Sequence, residues 1–229
     1  MIRQTRSGWP FGTAAVLTKG GEGPQVRLRS LSRKDGAEWR RLRIKDEDAL
    51  RKVEPTVDSD WAEAHSQAQW RKTWGNLKGV AKQGTVVPAA IEVDGKLAGQ
   101  LTLGNIQHGI VSSCWVGYWV SSEQTGKGVA TAALALGVDH AMRILGLHRV
   151  EATVMEDNES SRAVLKKAGF RTEGELKRNL HINGEWTDHL LTAVTREELY
   201  DEETRGLVDR MVKDGKLVYV APSERKTES

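Results

Sequence analysis

The 229-residue chain is expected to fold as an α/β (α+β) protein: a mixed, mostly antiparallel sheet of six to seven strands with helices on both faces. Three observations carry that expectation. Asp94-Gly95 and Asn183-Gly184 each lie between strand-like runs, the signal of a tight antiparallel hairpin. Between them, "SCWVGYWVS" leads through a helical pattern to "HRVEATVM", the order of two parallel neighbours joined by a crossover helix. That helix, running to about Leu145, is apolar nearly all round and so packs deep against a sheet.

Each element has its own local reason. Residues 1 to 25 hold several glycines and little periodicity, so an irregular arm is expected there. "QVRLRSL" alternates as a strand with Val26 and Leu28 on one face. Ser32 caps the next helix, with Asp35 where a capping-box acid sits; Trp39, Leu42, Leu50 and Val53 form its apolar stripe and Pro55 stops it. A second helix starts near Asp60 and buries Trp70, Trp74 and Leu77. "VVPAAIEVDGKLAGQLTLGNI" gives the first hairpin. In the strand that follows, Val116, Tyr118 and Val120 face one way and Trp115 and Trp119 the other.

Further on, Val150, Ala152 and Val154 point inward, while Glu151 and Thr153 point the other way. Asn158 begins a short helix that closes at "KKAGF", where Gly169 suits the left-handed C′ position. A two-residue turn at Asn183-Gly184 would set Asn179 opposite Asp188 and His181 opposite Trp186, all on one face. Thr195 and Glu198 form a capping box for a last helix carrying Leu199, Leu207, Val208 and Met211. "KLVYV" is a small extra strand and "APSERKTES" a disordered tail. The division that results is an arm over 1–25, a main domain over 26–196, and a C-terminal helix and tail over 197–229.

Composition excludes several classes. The 34 basic residues nearly balance 31 acidic ones, and there is no basic–aromatic array for direct nucleic-acid readout. No apolar run approaches a membrane span, and Ala14 to Leu17 is too short for a signal-peptide core, so a cytoplasmic protein is expected. One cysteine, Cys114, excludes an internal disulfide framework, and no cysteine cluster suggests a metal site. Eight tryptophans are many; Trp61, Trp70 and Trp74 read either as core or as the wall of a pocket.

The informative stretch is "SSEQTGKGVATAALALGVDHA", residues 121 to 141. Glycines flanking a lysine just before a helix expose backbone N–H groups that bind an anion. A Walker A loop fails because Lys127 lies between Gly126 and Gly128. A dinucleotide fingerprint fails because Thr131 stands where its third glycine belongs.

These motifs resemble those of the GNAT superfamily of N-acetyltransferases, in particular its RimJ/RimL-like ribosomal-protein N-terminal acetyltransferases. Gly128 and Ala130 match the last two fixed places of the acetyl-CoA signature, whose first place falls on Thr125. "VMEDNESSRAVLKKAGF" matches the second signature through Asn158, Ser161 and Lys167 to Phe170. "HINGEWTDHLL", with Asp188, matches the final hairpin. The resemblance covers about residues 26 to 196.

The resemblance implies acetyl-CoA as cosubstrate, with no metal. Its pyrophosphate would lie on the turn formed by Thr125, Gly126, Lys127, Gly128, Val129, Ala130 and Thr131. A bulged fourth strand would part from the fifth, letting the pantetheine arm pair with backbone near Trp119 and Val120 and meet Asn158. Ser161 is implied as the acid at the leaving thiolate and a backbone N–H near Val120 as oxyanion donor. Relatives place a catalytic glutamate at the position of Thr153, which cannot serve; Glu151, Asp188 and His181 remain as bases, and proton loss through water stays open. An α-amine with pKa near ~8 needs roughly 1.4 kcal/mol to be neutral at pH 7, whereas lysine needs about 4.6 kcal/mol. A site without an evident strong base therefore suits a protein or peptide N-terminus, with a ribosomal protein as the implied partner. Protein lysine, a small amine, a non-catalytic acyl-CoA-binding role and a homodimer stay open.

Overall fold

The computed structural model describes residues 8–221. The expected "APSERKTES" tail, apart from Ala221, and the first residues of the arm lie outside them. The strands are β1 (Val16–Leu17), β2 (Gln25–Ser30), β3 (Val87–Val93), β4 (Lys96–Gln107), β5 (Ser113–Val120), β6 (Arg149–Val154), β7 (Arg171–Ile182), β8 (Glu185–Thr195) and β9 (Val218–Tyr219). They form one sheet in the order β7-β8-β6-β5-β4-β3-β2-β1-β9, with β5–β6 its one parallel pair. The sheet is thus mixed and mostly antiparallel, with nine strands where six to seven are expected. Beyond the seven stand β9, the small extra strand expected at "KLVYV", and β1, formed within the arm expected to be irregular because it pairs with β9 (Val16↔Tyr219, Leu17↔Val218) and with β2.

The hairpin signals act as their chemistry requires. Asp94 and Gly95 adopt φ 48° and 81°, and Asn183 and Gly184 adopt 46° and 90°, the left-handed values of a two-residue turn between twisted strands. His181 does pair with Trp186, but Asn179 does not oppose Asp188. The β7–β8 register shifts between Leu176 and Leu180, with Arg178 at φ 49°. Asp188 sustains that bulge by accepting the Arg178 N–H at 2.7 Å.

The helices start where side-chain caps were expected and break where long-range contacts intervene. Ser32 and Asp35 form their capping box ahead of α1 (Gly36–Lys45). One continuous helix to Pro55 is not formed, because Asp46 interrupts it before α2 (Glu47–Leu50) and turns its carboxylate to Ser122. The helix expected from Asp60 is also split: Asp60 caps the single turn α3 (Trp61–Ala64), and Ser66 caps α4 (Gln67–Lys82). Next come α5 (Val129–Asp139), extended by a π turn at His140–Ile144, and α6 (Glu159–Lys167), capped by Asn158 and closed by Gly169 at φ 82°. The last helix divides into α7 (Arg196–Leu199), with the Thr195–Glu198 capping box, and α8 (Leu207–Lys213).

Two apolar clusters cover the two faces. The larger joins the inward residues of β2–β6, such as Leu28, Ile91, Leu101, Val116 and Val150, to α5, Leu165 of α6 and Met211 of α8. The smaller packs Leu31, Trp39 and Trp70 against Ala90 and Leu97, with Trp74 and Trp119 beside them. Trp61 and Trp70 are 1% and 0% exposed, so they pack as core. No helix among the described residues is long and apolar enough to cross a membrane.

Asp139 ties α8 to α5. Its carboxylate accepts the N–H groups of Leu207 (2.7 Å) and Val208 (3.1 Å), capping a helix that has no cap of its own. Burial pushes this carboxyl up to about 6, although both bonds pull it down. The folded protein therefore binds a proton as pH falls through about 6, whereas an unfolded chain does so only near 3.8. Stability from this group is present below 3.8 and lost as pH rises through about 6. Asp139→Asn removes the titration. Denaturant midpoints of both proteins at about pH 7.5 and about pH 4.5 should show the wild type gaining on the variant upon acidification, by on the order of 1–2 kcal/mol.

Candidate active site

The site begins where two strands separate. β5 and β6 pair at Ser113↔Arg149, Cys114↔Val150 and Trp115↔Glu151, and no further. β5 keeps its register with β4 through Gly99↔Val120. Residues 116–120 therefore have a partner on one side and an open edge on the other. The Ser121 N–H donates to Ala98 O at 2.8 Å, toward β4. By strand alternation the N–H groups of Val120 and Tyr118 then point into the gap. The irregularity in the β4–β5 ladder lies elsewhere, between Gly104 and Gln107, where a Cβ on Gly104 would come within 2.1 Å of the Trp115 ring.

The glycine turn stands at the wide end of the gap. Ser122–Gln124 form a single 3-10 turn, Gly126 and Gly128 take φ 73° and 80°, and α5 begins at Val129. The Thr125 N–H is bonded to Ser122 O at 3.1 Å and the Lys127 N–H to Gln124 O at 3.3 Å. Those of Gly126, Gly128, Val129, Ala130 and Thr131 have no acceptor among the described residues. The expected cradle thus keeps five of its donors, at the positive end of α5. Lys127 Nζ sits 3.3 Å from Gln124 Oε1. From the α1 side, Asp46 accepts the Ser122 N–H (2.9 Å) and hydroxyl (2.5 Å), and Glu123 pairs with Arg41 and Lys45. The sequence pattern gave no signal for this brace, because its partners lie 76 and more residues apart.

Across the gap stands the first turn of α6. Asn158 Oδ1 accepts the Ser161 N–H at 3.1 Å, so its amide oxygen acts as the helix cap. Ser161 Oγ lies 3.0 Å from the Tyr118 hydroxyl. Burial pushes the Tyr118 phenol up to about 12, so it holds its proton at neutral pH. Tyr118 is a functional candidate that motif matching missed. The available signal was strand alternation, which aims it at the same face as Val116 and Val120.

The remaining candidates are apart from this pair. Glu151 occupies the apex of the gap, opposite Trp115, and belongs to the face away from inward Val150 and Ala152. Its Oε1 accepts from Arg149 Nε at 2.6 Å, and Arg149 also pairs with Glu173. Asp188 is exposed and accepts from Arg178 N–H and from Lys177 Nζ at 3.0 Å; these two donors hold its carboxyl below the usual range. Cys114 is buried, and burial pushes its thiol up to about 12, which removes it as a thiolate nucleophile.

Trp119 faces the second cluster, where the Arg43 guanidinium lies 5.3 Å from its ring and 5.2 and 5.1 Å from those of Trp39 and Trp61. Arg43 is also paired with Glu54. The nearby imidazole of His65 is driven down to about 4 by burial and by Arg43, so it is neutral at pH 7. The segment after α2 then reaches the β7–β8 hairpin: the Thr56 N–H donates to His181 O at 2.8 Å, and the Gly184 N–H to Thr56 Oγ1 at 2.9 Å. No group of three or more His, Cys, Asp or Glu residues suited to a metal occurs among the described residues.

Comparison with known proteins places this arrangement. Residues 25–171 match the family model for the acetyltransferase (GNAT) domain. The probable N-acetyltransferase YjcK of Bacillus subtilis is 43% identical over 101 residues, 44% of this chain and 56% of that protein. The [ribosomal protein uS5]-alanine N-acetyltransferase of Escherichia coli is 32% identical over 128 residues, 55% of this chain and 66% of that enzyme. The chain thus spans between about half and two thirds of these two curated relatives. The solved structure of Mycobacterium smegmatis RimJ in complex with CoA-disulfide superposes with TM-score 0.88 at 42% identity, covering 93% of this chain and 99% of that one.

Gly128 is the sharpest test of the cradle, because its left-handed φ admits valine only with strain. Gly128→Val should lower CoA affinity at least about tenfold by calorimetry, the effect of misplacing one or two backbone donors.

Proposed function

This chain belongs to the GNAT family of acetyl-CoA-dependent N-acetyltransferases, and from that premise we propose that it acetylates the N-terminal α-amine of a protein. A ribosomal protein is the favoured acceptor, in the cytoplasm. Within this proposal residues 26–196 form the catalytic domain, and 1–25 and 197–229 are extensions of it. The observation that carries the reading is the convergence of three features on one gap: the open edge of β5, the orphan N–H groups before α5, and the Ser161–Tyr118 pair.

The residues fit the cosubstrate. The free N–H groups of Gly126 and Gly128–Thr131 suit a pyrophosphate, and the open edge of β5 suits an amide-bearing arm laid down as an added strand. Acetyl-CoA supplies an acyl group activated as a thioester. The Val120 N–H is the donor for the acyl oxygen as it gains negative charge. Ser161, its hydroxyl bonded to the Tyr118 phenol, delivers a proton to the departing thiolate; the phenol passes its proton to the serine oxygen and, with its raised pKa, regains one from water.

The amine approaches from the opposite face, where Glu151 marks the apex of the gap. Its proton leaves to Glu151 or to water. Asp188, bonded to Arg178 and Lys177, is assigned to shaping the hairpin beside the acceptor. Among the described residues no free, strongly basic group stands at the gap, which favours an α-amine over lysine, since the α-amine costs about 3 kcal/mol less to deprotonate at pH 7. The [ribosomal protein uS5]-alanine N-acetyltransferase among its relatives supports a protein acceptor.

Two measurements check this reading. Mass spectrometry of peptides incubated with acetyl-CoA should place the acetyl group on the α-amine; acetylation confined to lysine side chains would sink the proposal. On an accepted peptide, Ser161→Ala should lower kcat by about 100-fold with little change in acetyl-CoA KM, and Tyr118→Phe should lower it less. Unchanged kcat in Ser161→Ala would remove the serine from the mechanism.

A further inference from the structure

We propose that Thr18, in the N-terminal arm, is a positioning residue for the coenzyme: its hydroxyl sets the direction of the Gly128 N–H in the pyrophosphate cradle. The inference rests on reading that turn as the coenzyme site. It assigns a role to a segment outside the part of the chain that matches the family model.

Thr18 directly follows β1 and is 1% exposed. Its hydroxyl donates to the carbonyl oxygen of Lys127 at 2.7 Å, across 109 residues of sequence. In a trans peptide the C=O and the next N–H point in opposite directions. Holding the Lys127 carbonyl toward Thr18 therefore aims the Gly128 N–H away from it, into the turn, where it has no acceptor among the described residues. The same peptide plane turns about Lys127 ψ and Gly128 φ, and Gly128 by itself tolerates most backbone angles.

The surroundings of Thr18 fix the hydroxyl in turn. Its N–H donates to Pro24 O at 3.2 Å, and its carbonyl accepts from Gly21 (3.0 Å) and Gly23 (2.9 Å). A Cβ on Gly23 would fall 2.0 Å from the Thr18 hydroxyl oxygen, so glycine is required there for the hydroxyl to keep its place. A Cβ on Gly128 would come 3.3 Å from the Thr18 Cβ, so the two residues also fit by shape. β9 secures the arm: Gly20 donates to Lys216 O at 3.1 Å, and Val220 to Ala15 O at 3.0 Å. The C-terminal segment thus holds the arm that bonds the turn at Lys127, while Asp46, Arg41 and Lys45 bond it at Ser122 and Glu123.

The test compares the full chain with Thr18→Val, which keeps the shape and loses the donor, and Thr18→Ser, which keeps the donor. Calorimetric titration with CoA should show affinity about fivefold weaker in Thr18→Val, the effect of one hydrogen bond, and near the wild-type value in Thr18→Ser. Inorganic pyrophosphate, as a competitor, should lose potency in the same variant. Thermal midpoints without ligand separate this from general destabilisation, which would weaken Thr18→Ser as well. Equal CoA affinity in wild type and Thr18→Val would overturn the inference while leaving the coenzyme reading intact. A wild-type chain that binds no CoA would overturn both.

Discussion

A strand edge inside a folded domain must find hydrogen-bond partners, and here β5 is denied them over residues 116–120 because β6 turns away after Trp115↔Glu151. Everything that defines the site follows from that separation. The gap exposes the Val120 and Tyr118 backbone in an extended conformation, which under the proposed function a linear amide-bearing ligand would complete as a missing strand. It opens toward the turn that precedes α5, so the free N–H groups there stand at the end of the same channel. It also gives the two sheet faces separate access to one point.

Under the proposed function the faces then divide the chemistry. On the α5–α6 side, Ser161 and Tyr118 are held by the Asn158 cap and by burial of the phenol. On the other side, Trp39, Trp61 and Trp119 surround the Arg43 guanidinium, and the segment through Thr56 is bonded to the β7–β8 hairpin. A proton donor on one face and an incoming amine on the other suit a transfer in which bond making and thiolate departure occur at one carbon. The rigidity this demands comes from outside the gap: Asp46 and Thr18 grip the turn from two directions, and Asp139 fastens α8 onto the helix that follows it.

Local chemistry was legible in the sequence, and distant contacts were not. Asp94-Gly95 and Asn183-Gly184 announced their turns because left-handed angles restrict residue choice, and Ser32, Asn158 and Thr195 announced helix starts because orphan N–H groups need acceptors. Gly128, Asn158 and Ser161 were marked as site candidates by the family resemblance and not by such local rules. The break at Asp46, the bulge at Arg178, the Thr18–Lys127 bond and the Asp139 cap each depend on a partner brought close only by the finished fold. Tyr118 lies between these cases: alternation gave its face, but only the fold set it against Ser161.

The central claim is that the free edge of β5 and the donors before α5 are one binding surface, completed by acetyl-CoA. Amide hydrogen exchange, resolved by residue with and without acetyl-CoA, tests it most directly. Slowed exchange at Val120 and Tyr118 together with Gly128–Thr131 is the result the account predicts. Protection of the turn alone, with Val120 and Tyr118 exchanging at the same rate in saturated protein, would contradict it.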